Sequence, residues 1–206
     1  PLGLGVLTPV IAYVILRKLG GFDRTNAAAV AAHYGSVSAV TFIAATAFAD
    51  RAGIAPEGFM PALVALLEVP AIVVALMIAR VRSKAGGSLG EALHEILAGR
   101  SIVLLIGGLA IGWAAGKPGM AEVEPFFVEG FKGALTLFLL EMGMAAAARL
   151  RDLRRTGAFL VGFGILVPIL HGALAVWGAS FVGLSVGGAA VLGAMVSSAS
   201  YIAAPA

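Results

Sequence analysis

Cysteine is absent from this chain of 206 residues, and charged side chains are scarce. The absence of cysteine excludes a disulfide framework, a thiolate nucleophile and a cysteine-ligated metal. Charged residues make up 12% of the chain, whereas a soluble domain carries about 25%. With 60% hydrophobic side chains and a mean hydropathy of +1.02, the composition predicts a protein that crosses a membrane many times. It also excludes nucleic-acid binding as the main function.

Apolar runs long enough to cross about 30 Å of hydrocarbon divide the sequence into about seven segments. They are predicted at Gly5–Leu16, Ala27–Phe48, Phe59–Ala79, Ser101–Ala115, Phe131–Ala148, Gly157–Trp177 and Gly187–Ala206. Ala, Leu and Gly dominate these runs, and no ten-residue stretches of alternating polarity are present, which favours helices over a barrel. The predicted fold class is therefore an all-α polytopic membrane protein.

Basic residues are concentrated in alternate connections of this predicted chain. Eleven Lys and Arg residues lie in the connections after spans one, three and five, and two lie in the others. Cytoplasmic loops carry the excess of Lys and Arg in membrane proteins. The pattern therefore predicts that the basic loops are cytoplasmic and that the first span runs inwards.

An internal repeat relates the two ends of the sequence. Shifting the chain by 159 residues overlays residues 1–47 on 160–206 without a gap and gives 12 identities. The pattern Gly-x-Gly-x-Leu-x-Pro begins at Gly3 in the first copy and at Gly162 in the second. Five spans separate the copies, so they cross the membrane in opposite directions. Inverted-topology repeats of this kind are typical of secondary transporters.

Small hydroxyl residues cluster at the middle of the second and seventh spans, close to helix-weakening glycine or proline. The residues predicted to bind substrate are Gly35, Ser36, Ser38, Thr41, Ser197, Ser198 and Ser200. If both helices break there, half-helix N-termini and hydroxyls would provide hydrogen-bond donors for a small anion without a formal charge. The alternative is that these small residues serve close helix packing.

Glu68 is an acid in the middle of the third predicted span, two residues before Pro70. A carboxylate at this depth costs about 2.5–3.5 kcal/mol on insertion scales, so contact with lipid is unfavourable. Glu68 is predicted to help hold a coupling cation, because carboxylates and loosened carbonyls are ligands for hard cations. The alternative is a protonated, structural carboxyl group. No catalytic motif and no metal cluster are recognisable, so the sequence does not predict an enzyme.

Five motifs together resemble the sodium-dependent bicarbonate transporter family. They are Tyr34–Ser38, the acid-x-Pro of Glu68–Pro70, Met142–Met144 leading into the arginine cluster 149–155, Pro168–Gly172 and Ser197–Ser200. The resemblance implies a ten-span fold of two inverted five-span repeats with two broken helices, and a homotrimer. It implies sodium-coupled uptake of bicarbonate across the inner (plasma) membrane of a bacterium, with sodium as the coupling ion and no other cofactor.

Against that family, the chain is expected to be a fragment without the first two spans and the last one. Residues 1–79 would belong to the first repeat, 80–100 to a cytoplasmic linker and 101–206 to the second repeat. Tyr201 stands at a position where cyanobacterial members of the family resemble one another in having an acid. Transport of another small carboxylate or oxyanion, and an uncoupled anion channel, therefore remain alternatives to bicarbonate uptake. A cytoplasmic PII-like regulator is a further partner that the resemblance implies, although the loop Ser83–Gly99 is shorter than in cyanobacterial members.

Overall fold

The computed structural model describes residues 2–64, 66–67, 70, 74, 77, 90, 94, 98, 100–151 and 157–200. All regular structure in these residues is helical. The α-helices are α1 (Leu2–Lys18), α2 (Arg24–Gly35), α3 (Ala39–Arg51), α4 (Arg100–Glu124), α5 (Phe131–Ala148), α6 (Ala158–Phe181) and α7 (Val186–Val196), and a π-helix spans Pro125–Gly130. The chain forms two compact units, Pro1–Leu105 with Gly164–Ala206, and Ile106–Phe163.

Helices α1 and α2 form an antiparallel pair joined by a tight turn. Helix α1 ends with Arg17 and Lys18, whose positive charges suit the negative end of a helix dipole. Gly21 then adopts a φ of 67°, which a residue with a Cβ rarely tolerates. Asp23 caps α2 by accepting a hydrogen bond of 3.0 Å from the Asn26 backbone N–H. That hydrogen bond, outside the apolar span, lowers the pKa of Asp23.

The apolar core of the first unit extends from the interruption between α2 and α3 to α3, α6 and α7. Its buried side chains come from that interruption, from α3, from the segment around residue 63, and from α6 and α7, and they are Val37, Ala49, Met60, Leu63, Val64, Leu67, Ala175, Ala179, Val191, Leu192, Met195 and Val196. Helix α7 contributes four of them within eleven residues. This short helix is therefore held on several sides by parts of the chain that are distant in sequence.

The second unit contains the regions predicted as spans four and five. Helix α4 is kinked at Gly116, whose φ of 59° and ψ of −172° lie outside the helical region, with Pro118 two residues later. The predicted spans Ser101–Ala115 and Phe131–Ala148 therefore fall on the helical residues before this kink and on α5. The helical stretch Lys117–Gly130 connects them. Most large apolar side chains of α4 and α5, including Trp113 at 89%, are exposed.

Three helical stretches in the described residues are long and apolar enough to cross a membrane. They are Arg24–Arg51, Ile106–Ala148 and Ala158–Phe181, and α7 is a shorter apolar helix. The length of 43 residues in the second stretch would give about 65 Å as a straight helix, twice the hydrocarbon thickness. The kink at Gly116 divides it. The all-helical fold is that of a membrane protein, and the prediction of seven spans and an inverted repeat stays a prediction.

Candidate functional site

The stretch Arg24–Arg51 is interrupted at its centre, where α2 ends at Gly35 and α3 begins at Ala39. Gly35 packs directly on α1, since a Cβ at this position would lie 2.8 Å from the Pro9 Cβ. Ser36 and Ser38 both have extended backbone conformations, with ψ of 136° and 119°. This confirms the predicted break near residues 35–38. The extended residues separate the C-terminus of one half-helix from the N-terminus of the next.

Ser38 is the N-cap of α3. Its Oγ accepts a hydrogen bond of 3.2 Å from the Thr41 backbone N–H, which satisfies one of the orphan donors at the start of the helix. Because the Oγ acts as acceptor in this bond, the hydroxyl proton of Ser38 can be donated to another group. The backbone N–H groups of Ala39 and Val40 are also in the first turn, where no intrahelical acceptor exists.

Helix α7 ends at Val196, and residues 197–200 are not helical. Ser197 Oγ donates to the Ala194 carbonyl at 2.9 Å, and Ser198 Oγ donates to the Met195 carbonyl. The two hydroxyls thereby satisfy carbonyl groups at the end of the helix. The predicted departure from helical conformation near residues 197–200 is confirmed, and residues 201–206, which follow it, lie outside the described residues.

The two interruptions are in direct contact. The Ser38 backbone N–H donates to Ser198 Oγ at 3.0 Å, and the Ser200 N–H donates to the His33 carbonyl at 3.0 Å. His33 Nδ1 lies 2.7 Å from the Ser200 carbonyl oxygen, which only accepts, so Nδ1 carries the proton in this bond. Three hydrogen bonds thus join stretches about 160 residues apart in sequence. The prediction that the two breaks lie close together in space is confirmed.

The predicted hydroxyl residues are brought together, but their environments differ. Ser36 is buried at 1% exposure and Ser200 at 5%, whereas Ser38, Thr41 and Ser198 are partly exposed. The 159-residue shift of the repeat aligns Ser197 with Ser38, which predicts equivalent roles for the two serines. The structure corrects this expectation, because the Ser197 hydroxyl bonds to the helix that precedes it and the Ser38 hydroxyl caps the helix that follows it. Substrate binding by this set stays a prediction.

Glu68, the predicted cation-coupling residue, lies outside the described residues. On either side of it, Leu67 and Pro70 pack against α1, because a Cβ at Gly5 would lie 3.0 Å from the Leu67 carbonyl oxygen and 3.3 Å from the Pro70 Cβ. Leu67 is buried. The coupling role of Glu68 stays a prediction.

His33 lies in the interior of the second predicted span and is hydrogen-bonded there, but the sequence does not reveal that its partner is Ser200. Its signal in the sequence is its position two residues before the Gly-Ser-Val-Ser stretch, where α2 ends. Sequence reasoning missed Glu57, although this acid follows the C-terminal end of α3. Glu57 Oε1 accepts a hydrogen bond of 2.6 Å from the Ser185 backbone N–H at the start of α7. Both residues make contacts between distant parts of the sequence, which periodicity does not reveal.

A cavity of about 330 Å³ lies beside the end of α7, and its walls come from α6 and α7. Close approach of these helices depends on glycine, since a Cβ at Gly172 would lie 3.1 Å from Ser197 Cβ and one at Gly193 would lie 2.6 Å from a Val176 methyl group. Ser197 is the only hydroxyl residue among the lining residues. The cavity is therefore mainly apolar and borders the break.

Comparison with known proteins gives one family. No curated protein matches the sequence at a significant level. The profile of the Na⁺-dependent bicarbonate transporter superfamily matches residues 1–206, the whole of the chain. The contact between the break after α2 and the end of α7, made by hydroxyl, imidazole and backbone groups, agrees with the resemblance found in the sequence motifs. The chain belongs to the Na⁺-dependent bicarbonate transporter superfamily.

Proposed function

We propose that the protein takes up bicarbonate across the plasma membrane of a bacterium, coupled to sodium, with the anion held at the start of α3. The observation that carries this proposal is the helix N-terminus at Ser38, placed at the middle of the stretch Arg24–Arg51. The first backbone N–H groups of a helix point at whatever lies before it, and the dipole there favours negative charge. Family membership favours transport over catalysis.

The chemistry of the break suits a small oxyanion that must be released again. Bicarbonate is planar and offers several acceptor oxygens and one donor. The Ser38 hydroxyl and the amides of Ala39 and Val40 provide donors, and no Lys or Arg occurs between residues 25 and 50. A full positive charge at this depth would hold the anion strongly. Hydroxyls and a helix terminus instead give the moderate affinity that turnover requires.

The helix C-termini at the contact between the two breaks suit a cation, because their carbonyl groups are negative dipole ends. Helix α2 ends at Gly35 and α7 ends at Val196. A carbonyl oxygen at these ends has two lone pairs, so one that already accepts a hydrogen bond can still bind a cation. Carbonyl oxygens at helix C-termini coordinate sodium in transporters with broken helices. Together with the Glu68 carboxylate, they form the proposed coupling site. Anion and cation would then lie at neighbouring helix ends of opposite dipole, which explains how each favours binding of the other.

The orientation proposed for the protein follows from its basic loops, which are placed in the cytoplasm. The connections 52–58 and 182–185 then face the outside, and they are the ones joined by the Glu57 to Ser185 hydrogen bond. Two loops that meet in space must lie on the same side of the membrane, as this orientation requires. The homotrimer and the PII-like regulator are further proposals that rest on the family resemblance alone.

Uptake of radiolabelled bicarbonate by proteoliposomes tests the proposal. The measurement uses alkaline pH, where bicarbonate predominates over dissolved CO₂, with an inward sodium gradient or with sodium replaced by choline. Accumulation above equilibrium that requires sodium is the expected result. Equilibration without accumulation would instead assign a channel. Strong inhibition by another small carboxylate or oxyanion, with little bicarbonate uptake, would assign a different substrate within the same transport mechanism.

A further inference from the structure

Glu57 joins the connection after α3 to the first turn of α7. Its Oε1 accepts a hydrogen bond of 2.6 Å from the Ser185 backbone N–H. Ser185 is in turn the N-cap of α7, since its Oγ accepts from the Gly188 N–H at 3.0 Å. A carboxylate is favoured at the positive end of a helix dipole, and the Ser185 N–H lowers the pKa of Glu57. The ionised side chain is therefore the form that holds the helix end.

The backbone at this contact fits only because two glycines begin the helix. A Cβ at Gly187 would overlap the Ile54 carbonyl oxygen, and one at Gly188 would overlap Glu57 Oε2. Glu57 Oε2 is itself buried and has no hydrogen-bond partner in the described part of the chain. The connection 54–57 thus lies against the start of α7 so closely that neither glycine has room for a side chain. Such an approach fixes the position of the helix end.

The opposite end of α7 is the break that carries the proposed substrate site. Ser198, two residues after the helix, accepts from the Ser38 N–H at the start of α3. Because the start of α3 meets the end of α7, and the connection after α3 meets the start of α7, the two helices are antiparallel. Buried side chains on both helices, among them Ala49 and Val191, lie in one core between these ends. The pair is closed by hydrogen bonds at both ends.

We propose that Glu57 is a positioning residue for the substrate site: by fixing the N-terminus of α7, it sets the position of Ser198 against Ser38 at the far end of that helix. Helix α7 has 11 residues and is a rod of about 16 Å. A displacement of its first turn is therefore carried to its last turn, where the break is. The functional measurement of this role rests on the proposed transport of bicarbonate, whereas its structural measurement does not.

Substitution of Glu57 tests this role through the apparent affinity for bicarbonate. Glu57→Ala removes the acceptor and is expected to raise KM by about threefold or more with little change in maximal rate per transporter. Glu57→Gln keeps an oxygen acceptor without the charge, so its KM should lie between that of the wild type and that of Glu57→Ala. Asp50→Asn, at an exposed acid near the outer end of α3, is the matched control and should leave KM unchanged. A KM of Glu57→Ala equal to that of the wild type overturns the proposal.

A double-substitution cycle separates positioning from a general loss of stability. If Glu57 acts through Ser198, then Glu57→Ala should change KM less than twofold when Ser198→Ala is already present. Contacts that act independently would give additive effects on the logarithm of KM. Additivity therefore contradicts the proposed route through the break.

Spin labels give a second measurement that does not depend on the transported ion. The chain has no cysteine, so Phe48→Cys and Val186→Cys would be its only labelling sites, and both positions are exposed, at 72% and 74%. Glu57→Ala should broaden the distance distribution between the two labels, and Asp50→Asn should not. Broadening in a protein that fails to take up bicarbonate would refute the proposed function and support the positioning role. An unchanged distribution would refute the positioning role.

Discussion

Ser38 is the residue at which helix capping and anion binding can be separated by substitution. Its Oγ accepts from the Thr41 N–H, and its hydroxyl proton is the proposed donor to bicarbonate. Ser38→Ala removes both functions. Loss of the cap costs about 0.5–2 kcal/mol of stability, and loss of a hydrogen bond to a charged group costs about 1.5–3 kcal/mol of binding. The expected apparent affinity is therefore lower by roughly tenfold to a hundredfold.

Ser38→Asp distinguishes the two effects, because aspartate is as good an N-cap as serine. The helix should start normally, but a carboxylate now occupies the position proposed for the anion. Two like charges about 4 Å apart repel by roughly 4 kcal/mol at the effective dielectric constant of a partly exposed site, which corresponds to a loss of affinity of about a thousandfold. Ser38→Thr keeps both the acceptor and the donor, so we expect transport close to that of the wild type.

The assay is sodium-driven uptake in proteoliposomes over a range of bicarbonate concentrations, with the thermal midpoint of each purified variant measured in parallel. Ser180→Ala is the control for loss of a serine hydroxyl elsewhere, since Ser180 bonds only locally to the Trp177 carbonyl. We expect the aspartate variant to keep its thermal midpoint and to lose uptake. Uptake by Ser38→Asp with unaltered affinity would show that the anion does not bind at the start of α3, and the interrupted helices would then be a packing feature.

Three further outcomes are expected. Gly35→Ala should lower the thermal midpoint, because the new Cβ would lie 2.8–2.9 Å from the Pro9 ring and overpacking costs about 1–3 kcal/mol. Gly3→Ala is the control and should leave the thermal midpoint unchanged, because the space around Gly3 is open. Glu68→Gln should weaken the sodium dependence of uptake more than the abundance of protein, and unchanged sodium activation would assign Glu68 to structure. The pKa of Asp23 is lowered on folding, so the stability that its charge contributes is complete above the unfolded value of about 3.9 and is lost as the pH falls through the folded value. The difference in thermal midpoint between the wild type and Asp23→Asn should therefore shrink below about pH 4, and a difference that stays constant would contradict this origin.

Much of the helical organisation could be predicted from hydropathy and glycine alone. The run predicted at Phe131–Ala148 is the helix α5, and the interruption at Gly35–Ser38 follows from small residues and a glycine in an apolar run. These predictions succeed because a segment in lipid must satisfy its backbone groups internally. Wherever the sequence weakens a helix in the middle of such a run, the freed groups need partners that only another segment can supply.

Which partner each freed group finds could not be predicted, because hydrogen-bond pairing depends on the relative position of helices distant in sequence. The repeat aligned Ser38 with Ser197, but the hydrogen bond across the break joins the Ser38 amide to Ser198. A shift of one residue turns a helical side chain by about 100°, so an alignment can be right while the contact is one residue away. For the same reason the sequence does not reveal the role of Glu57, which depends on contact between the connections 52–58 and 182–185. The sequence of a broken-helix transporter thus indicates where helical hydrogen bonding is interrupted. The three-dimensional structure decides which groups bond to the freed backbone atoms.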